Sequence, residues 1–308
     1  MRIGRRAAKT DTGRRRLRNE DDFICDPPLF AVADGMGGAR AGEIAAGLAA
    51  AALEEAGAET RGAEGVVALI TEANRRIWER SLADPETAGM GTTVTAALVD
   101  ASSGTVAIGH VGDSRAYLLR GGAIGQLTTD HSLVAELVQS GILTPEEAER
   151  HPQRSAITRA LGTEPTVEVD AFTVEAEPGD VFLLCSDGLS TMVANEEMAS
   201  AIEAAERDPQ RAAEALVAAA NARGGEDNVT VVLFELLESD EHAHVADPSD
   251  ETPAGVSEPT RAPVSDEEPS GGSLRRHGAG PGGRLAALLG IVALLGIALL
   301  ALYWGVTR

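Results

Sequence analysis

Leu29–Glu43 reads LFAVADGMGGARAGE. Its first residues are apolar enough for a strand buried on both faces. The apolar run stops at Asp34, a glycine-rich turn follows at once, and Ala41–Ala56 reads as an alanine-rich helix. A carboxylate at the mouth of a glycine turn is a poor core residue and a good metal ligand. A dinucleotide fingerprint shares the strand, turn and helix layout. Here Gly35-x-Gly37-x-x-Arg40 lacks the third glycine and Asp34 would face the pyrophosphate, so that reading is set aside.

The same seam between apolar strand and acidic turn recurs. Val111-Gly112-Asp113-Ser114-Arg115 and Leu184-Cys185-Ser186-Asp187-Gly188 end strands, and Gly224-Gly225-Glu226-Asp227-Asn228 begins one. Asn19-Glu20-Asp21 precedes another, three residues after Arg16. A single seam of this kind is usually a turn-former or a helix cap. Several gathered at one end of a sheet would repel each other unless a cation neutralised them. The candidate ligands are all hard oxygens, without a convincing His or Cys set, which selects Mg²⁺ or Mn²⁺ over Zn²⁺ or Cu²⁺. Two such ions ~3.5–4 Å apart, bridged by a carboxylate, lower the pKa of the water between them. Arg16 is the candidate grip for a phosphoryl oxygen pair, or one more charge in the run Arg14-Arg15-Arg16-Leu17-Arg18.

Outward from these seams, residues 1–20 read as a basic, solvated arm rather than a lipid contact, leading into a strand at Asp22–Cys25. Gly65–Ser81 is a helix, with Val66, Leu69, Ile70, Ala73 and Ile77 at helical spacing. Strands are expected at Thr92–Val99, Thr105–Val111, Ala116–Arg120, Ala123–Leu127, Val167–Val174, Val181–Cys185 and Asn228–Leu237. Helices are expected at Asn195–Ala205, with Asn195 as cap, and Pro209–Ala222. Residues 131–160, with short helices at Leu133–Gln139 and Pro145–Arg150, read as a mobile insertion over the body of the domain.

The chain has 308 residues and a formal net charge of −22, which argues against a nucleic-acid binder and suits a site that concentrates divalent cations. Aromatics make up only 3%, so the core must be built from Ala, Val, Leu and Ile. Cys25 and Cys185 read as reduced, buried residues of a cytosolic domain. Arg2, Arg5 and Arg6 are not followed by an apolar stretch, so no secretory leader is expected. After a domain spanning 1–238, residues 239–284 are rich in Asp, Glu, Pro, Ser and Gly and read as a flexible tether. Leu285–Trp304 is twenty residues without a charge, enough to span a membrane, with Tyr303 and Trp304 at its edge. Arg275, Arg276 and Arg284 precede the span and only Arg308 follows it in the tail 305–308, which puts the domain on the cytoplasmic side of the plasma membrane. So short a tail leaves no room for an outer sensor.

The strings carry a family resemblance. Arg16-x-x-Asn19-Glu20-Asp21, VADGMGG from Val32, GTT at 91–93, HVGDSR at 110–115, TTDHS at 128–132, TRALG at 158–162, LLCSDGLS at 183–190 and GGEDNVTVV at 224–232 stand in the order seen in metal-dependent serine/threonine protein phosphatases of type 2C, the PPM family. The resemblance covers about residues 4–237 and looks like the bacterial, membrane-anchored branch. It implies an α+β fold, a four-layer αββα sandwich of two antiparallel sheets flanked by helices, with metals in a cleft at one sheet end. Asp34 matches the carboxylate bridging two Mn²⁺ or Mg²⁺ ions, and Gly35 matches the residue giving a backbone carbonyl. Asp187 and Asp227 match ligands of the second ion. Glu20 and Asp21 match residues acting through water, and Asp113 matches the ligand of a third, weaker metal shared with Asp187. Arg16 matches the phosphate-binding arginine, and Ser132 to Ala160 match the substrate flap.

The implied activity is hydrolysis of phosphoserine and phosphothreonine on phosphorylated proteins. A hydroxide bridging the two ions attacks phosphorus, without a phosphoenzyme, in opposition to a membrane-bound serine/threonine kinase. One departure is Met36, where many eukaryotic members carry a His proposed as general acid. Met36 cannot transfer a proton, and His110, His131 and His151 read as structural or surface residues. The rival reading is a phosphoprotein-binding pseudo-enzyme, which the intact set of Asp34, Asp187, Asp227 and Arg16 argues against.

Overall fold

A computed structural model describes residues 1–37, 41–57 and 59–239. The tether from residue 240 onward and the apolar stretch 285–304 lie outside the described residues. Among the described residues, no helix is long and apolar enough to cross a membrane.

Among the described residues, eleven strands form two sheets. The first contains β1 (Arg2–Asp11), β7 (Arg115–Arg120), β8 (Ala123–Gln126), β10 (Val181–Cys185) and β11 (Val229–Leu237), in the order β1-β11-β10-β7-β8. The second contains β2 (Asp21–Asp26), β3 (Leu29–Met36), β5 (Val94–Asp100), β6 (Thr105–Val111) and β9 (Asp170–Glu175), in the order β2-β3-β5-β6-β9, with the short β4 (Gly91–Thr92) paired to β3. The pairings that build the two sheets are antiparallel.

Period-2 alternation explains the layers. Leu29, Ala31 and Ala33 of β3 point outward, into a core shared with helices α1 (Ala41–Gly57) and α2 (Gly62–Ala83). Phe30 and Val32 point inward, into a core between the sheets with Phe182, Leu184, Val232 and Phe234. The other outer core joins Leu183, Cys185, Val231 and Leu233 to helices α5 (Asp187–Ser190), α6 (Asn195–Ala204) and α7 (Pro209–Ala222). The result is the expected sandwich of two antiparallel sheets flanked by helices. Few aromatics are needed, because the alanine stripe of α1 (Ala41, Ala45, Ala46, Ala49, Ala52) lets the helix lie close to its sheet. On the other side of that layer, a Cβ at Gly109 of β6 would stand 2.2 Å from Val66 Cγ1 of α2. The inter-sheet core centres on Phe234, stacked on Phe30 of the opposite sheet at 4.0 Å and on Phe182 at 5.0 Å.

Several elements differ from the sequence reading. The basic arm is the ten-residue strand β1, paired from Arg2 opposite Leu237 to Asp11 opposite Val229, with a register shift between Ile3 and Arg6. Its partner brings the apolar surface, and Arg5 is neutralised by Glu235 at 2.9 Å. β3 does not stop at Asp34 but continues through Gly35 to Met36, because β4 pairs Gly35 with Thr92. β9 starts at Asp170 rather than Val167. Ala194, not Asn195, is the cap residue of α6, and its N–H is met by the Glu197 carboxylate at 3.3 Å. Cys25 is half-buried, whereas Cys185 is buried as expected, and both are free. The insertion carries helices α3 (Leu133–Gln139) and α4 (Pro145–Glu149), neither with a buried residue. Its base is closed by Leu133 N–H to Ala156 O at 2.9 Å and Thr158 N–H to His131 O at 2.9 Å.

Replacing Phe234 with Ala removes both ring stacks and leaves a cavity between the sheets. Urea unfolding of the full chain is expected to show a loss of about 3–5 kcal/mol, and Phe234→Leu a clearly smaller one.

Candidate active site

The inner face of the sandwich changes chemistry at one end. Along β3 the inward positions run Phe30, Val32, Asp34, and along β2 the inward series Cys25, Phe23 ends at Asp21. Asp21 and Asp34 are register partners, so two carboxylates stand side by side on adjacent strands. From the facing sheet, the series Phe182, Leu184 ends at Ser186, and Phe234, Val232 at Thr230. Both hydroxyls donate to Asp21 Oδ2, Ser186 at 2.9 Å and Thr230 at 2.6 Å. Asp21 therefore ties the two sheets together at the polar end.

The backbone around Asp34 is held from the neighbouring segment. Thr93 N–H and Thr92 Oγ1 donate to the Asp34 carbonyl, both at 2.9 Å, and Asp34 N–H donates to Thr93 Oγ1 at 3.2 Å. Gly35 has no room for a side chain: a Cβ there would lie 2.2 Å from Gly42 O and 2.5 Å from Glu20 O. Asp113 follows Gly112, whose φ of +111° and closeness to Thr93 exclude a side chain. The His131 backbone N–H donates to Gly112 O at 2.7 Å, and Gly112 N–H donates to His131 Nδ1 at 3.0 Å. The base of the insertion thus braces the Asp113 turn. Asp187 opens α5 directly after β10. Asn228 organises the last seam: its Oδ1 accepts from Glu20 N–H at 2.8 Å, and its Nδ2 donates to Thr12 O at 3.0 Å and Arg18 O at 2.8 Å.

These segments open on a cleft of about 510 Å³. Arg16, Glu20, Asp34, Gly35, Asp113, Asp187 and Asp227 all line it, so the structure brings together every sequence-derived site residue except Asp21, which lies just beneath. Of the insertion, Ser155, Ile157, Thr158, Arg159 and Ala160 form one wall, while Ser132 caps α3 away from the lining. Arg16 donates to Asp227 Oδ2 at 2.7 Å and remains half exposed.

The carboxylates are held in a state they do not tolerate alone. Burial first, and then repulsion from Asp187 and Asp227, pushes Asp21 up to about 7 despite its two hydroxyl donors. Burial and the charge of Asp187 push Asp113 up to about 7. Burial and Asp227 push Asp187 up to about 6. Asp34 is raised well above the usual carboxylate range by burial and by the charges of Asp21, Asp187, Asp113 and Asp227. Asp34 keeps some surface open to the cleft, so its desolvation comes from depth among these groups rather than from full enclosure. Asp21 Oδ1, Asp113 Oδ1 and Asp187 Oδ1 are buried without a hydrogen-bond partner. Orphaned acceptors, mutual repulsion and an oxygen-only donor set together fit hard divalent cations.

Among the described residues, no histidine takes part in the lining. His110 is 1% exposed, bonded to Thr95 Oγ1 at 2.9 Å and Thr129 O at 3.0 Å, and burial pushes it down to about 4. His131 Nδ1 accepts from Gly112 N–H, and its Nε2 lies 2.9 Å from Arg159 Nη1 and 3.2 Å from Asp170 Oδ2. His151 accepts from its own turn at Gln153 N–H. Met36 does line the cleft. The supporting residues Thr92, Thr93, Ser186, Thr230 and Asn228 were missed as such by the sequence reading. Their signal is polarity at strand positions (Thr92, Thr230) or immediately beside strand ends (Thr93, Ser186, Asn228).

The chain matches the family model described as protein phosphatase 2C over residues 14–222. It is 42% identical over 239 residues to the serine/threonine phosphatase stp of Listeria monocytogenes, covering 74% of this chain and 94% of that one. It is also 42% identical over 239 residues to the serine/threonine protein phosphatase PstP of Mycobacterium tuberculosis, covering 77% of this chain and 46% of the relative. A crystal structure of the PstP catalytic domain in complex with two manganese ions is similar with a TM-score of 0.70 and 38% identity, covering 77% of this chain and 99% of that one. The chain belongs to the protein phosphatase 2C family.

Proposed function

We infer that this protein hydrolyses phosphoserine and phosphothreonine on proteins. The observation that carries this reading is the convergence of Asp34, Asp113, Asp187 and Asp227 with Arg16 on one cleft, with orphaned carboxylate oxygens beneath it. Asp34, Asp187 and Asp227 would hold two Mn²⁺ or Mg²⁺ ions with the Gly35 carbonyl, Asp113 would serve a third, and Glu20 and Asp21 would act through water. When bound, the ions supply positive charge and lower the pKa of water in the cleft. Arg16 offers a planar pair of donors to phosphoryl oxygens, and Asp227 orients it. Asp21, fixed by Ser186 and Thr230, keeps the two sheet ends in register beneath the carboxylates. Met36 offers no proton, so the leaving alkoxide takes its proton from water.

Residues 239–284 are proposed as a tether and 285–304 as a single plasma-membrane anchor, with residues 1–238 in the cytoplasm near membrane-bound serine/threonine kinases. The support is the length of the uncharged stretch and the arginines before it. A protease-protection assay that found the domain shielded on the outer side would overturn this topology.

Asp187→Ala is expected to abolish Mn²⁺-dependent hydrolysis of para-nitrophenyl phosphate, and near-wild-type kcat would sink the assignment. Arg16→Ala is expected to raise KM for a phosphopeptide by about 10–100-fold, the loss of one charge-assisted pair, while an unchanged KM would count against its role. Cation binding must displace protons from Asp21 and Asp113, raised to about 7, and from Asp187, raised to about 6. Calorimetric Mn²⁺ affinity should therefore strengthen by about tenfold or more from roughly pH 6 to 8. The sign for the metal-free fold is the reverse. It holds protons that the unfolded chain has lost above its ordinary carboxylate pKa, so these groups weaken it as pH rises toward 7.

A further inference from the structure

Arg14, Arg15, Arg16, Leu17 and Arg18 form the turn between β1 and β2, and all five are exposed. Apart from the Arg16 side chain, the turn is gripped at its backbone. Arg14 and Arg15 N–H donate to Gly225 O at 2.7 and 3.2 Å, and Arg18 O accepts from Asn228 at 2.8 Å. Leu17 at its tip is 99% exposed, so the domain does not cover it. Arg16 alone turns inward, to Asp227 and the cleft. Among the described residues, no side-chain hydrogen bond or ion pair engages Arg14, Arg15 or Arg18. Asp11 and Glu20 feel the charges of Arg14 and Arg18 without bonding to them. The nearby Glu226 is paired instead to Arg154 of the insertion at 3.9 Å.

Four arginines in five residues are unusual in a chain with 48 acidic against 26 basic side chains. Such an island, rigid at its base and open at its tips, attracts anions and not the rest of the molecule. It continues outward from Arg16, which lines the cleft together with Arg159 of the insertion wall. An extended peptide rises about 3.3 Å per residue, so residues near a phosphoresidue held at Arg16 pass over this strip. We propose that Arg14, Arg15 and Arg18 dock acidic side chains flanking the phosphorylated residue, so that this enzyme selects phosphoproteins with Asp or Glu beside the phosphosite. The proposal rests on the phosphatase reading above. A lipid surface is the less favoured partner, because the strip is continuous with the cleft lining.

The test compares kcat/KM of the Mn²⁺-loaded full chain on two phosphothreonine peptides, one with Asp and Glu flanks and one with Ser and Ala flanks. Exposed pairs are individually weak, so three together give an expected preference of about tenfold, fading in roughly 0.5 M salt. The triple variant Arg14→Ser, Arg15→Ser, Arg18→Ser should lose the preference, and the triple Lys variant should keep it. Para-nitrophenyl phosphate separates the two ideas. Turnover of it without any peptide preference overturns the strip, whereas no turnover of it overturns the phosphatase reading itself. If the Ser variant keeps the peptide preference but escapes inhibition by short-chain phosphatidylserine, the strip serves lipid and the proposal fails.

Discussion

The architecture depends on a repulsion. Asp21, Asp34, Asp113 and Asp187 are gathered at one end of a sandwich whose interior elsewhere is Phe, Val and Leu, and each is destabilised there by burial and by its neighbours. A fold accepts such a cluster only if something else holds the segments in place or something neutralises the charge. Both devices are visible. Ser186 and Thr230 clamp Asp21 from the facing sheet, Thr92 and Thr93 clamp the backbone of Asp34, and His131 clamps the Asp113 turn. The orphaned oxygens left over are acceptors that bound cations would neutralise.

The strain is confined because the core between the sheets next to that end is apolar. Phe234 stacks on both Phe30 and Phe182, and the strands that carry these rings are the ones whose inward positions lead to Asp34, Ser186 and Thr230. Rigid apolar packing in the middle therefore fixes the geometry of the acidic end. Gly35 extends the same logic, since the start of α1 and the Glu20 backbone close on it where no side chain could fit.

Local pattern made most of this legible. β10, α3 and α7 fall where alternation or helical spacing put them, and the seams at Asp34, Asp113, Asp187 and Asp227 do meet at one cleft. What escaped depends on partners far along the chain. RIGRRAAKTD has no apolar face of its own and is a strand only because β11, more than two hundred residues away, supplies one. β3 extends past Asp34 only because Thr92 pairs with Gly35. Asn228 reads as the first residue of a strand, yet it precedes β11 and bonds three separate points of the 12–20 segment. Long-range pairing of this kind leaves no short-range periodicity to read.

Met36 and the histidines follow from the same constraint. The inward face of β3 places residue 36 next after Asp34, so whatever stands there meets the cleft. A histidine at that point would add a titratable group to an already crowded set. Here the histidines are spent elsewhere: His110 and His131 stack at 4.8 Å behind the Asp113 turn and hold it through Thr95, Thr129 and Gly112. Burial keeps His110 neutral at physiological pH, which is what a brace beside a cation site requires, because a charged imidazole there would compete with the cations for the same carboxylates. His110 and His131 thus shape the site from behind, while Met36 lines it with no proton to transfer.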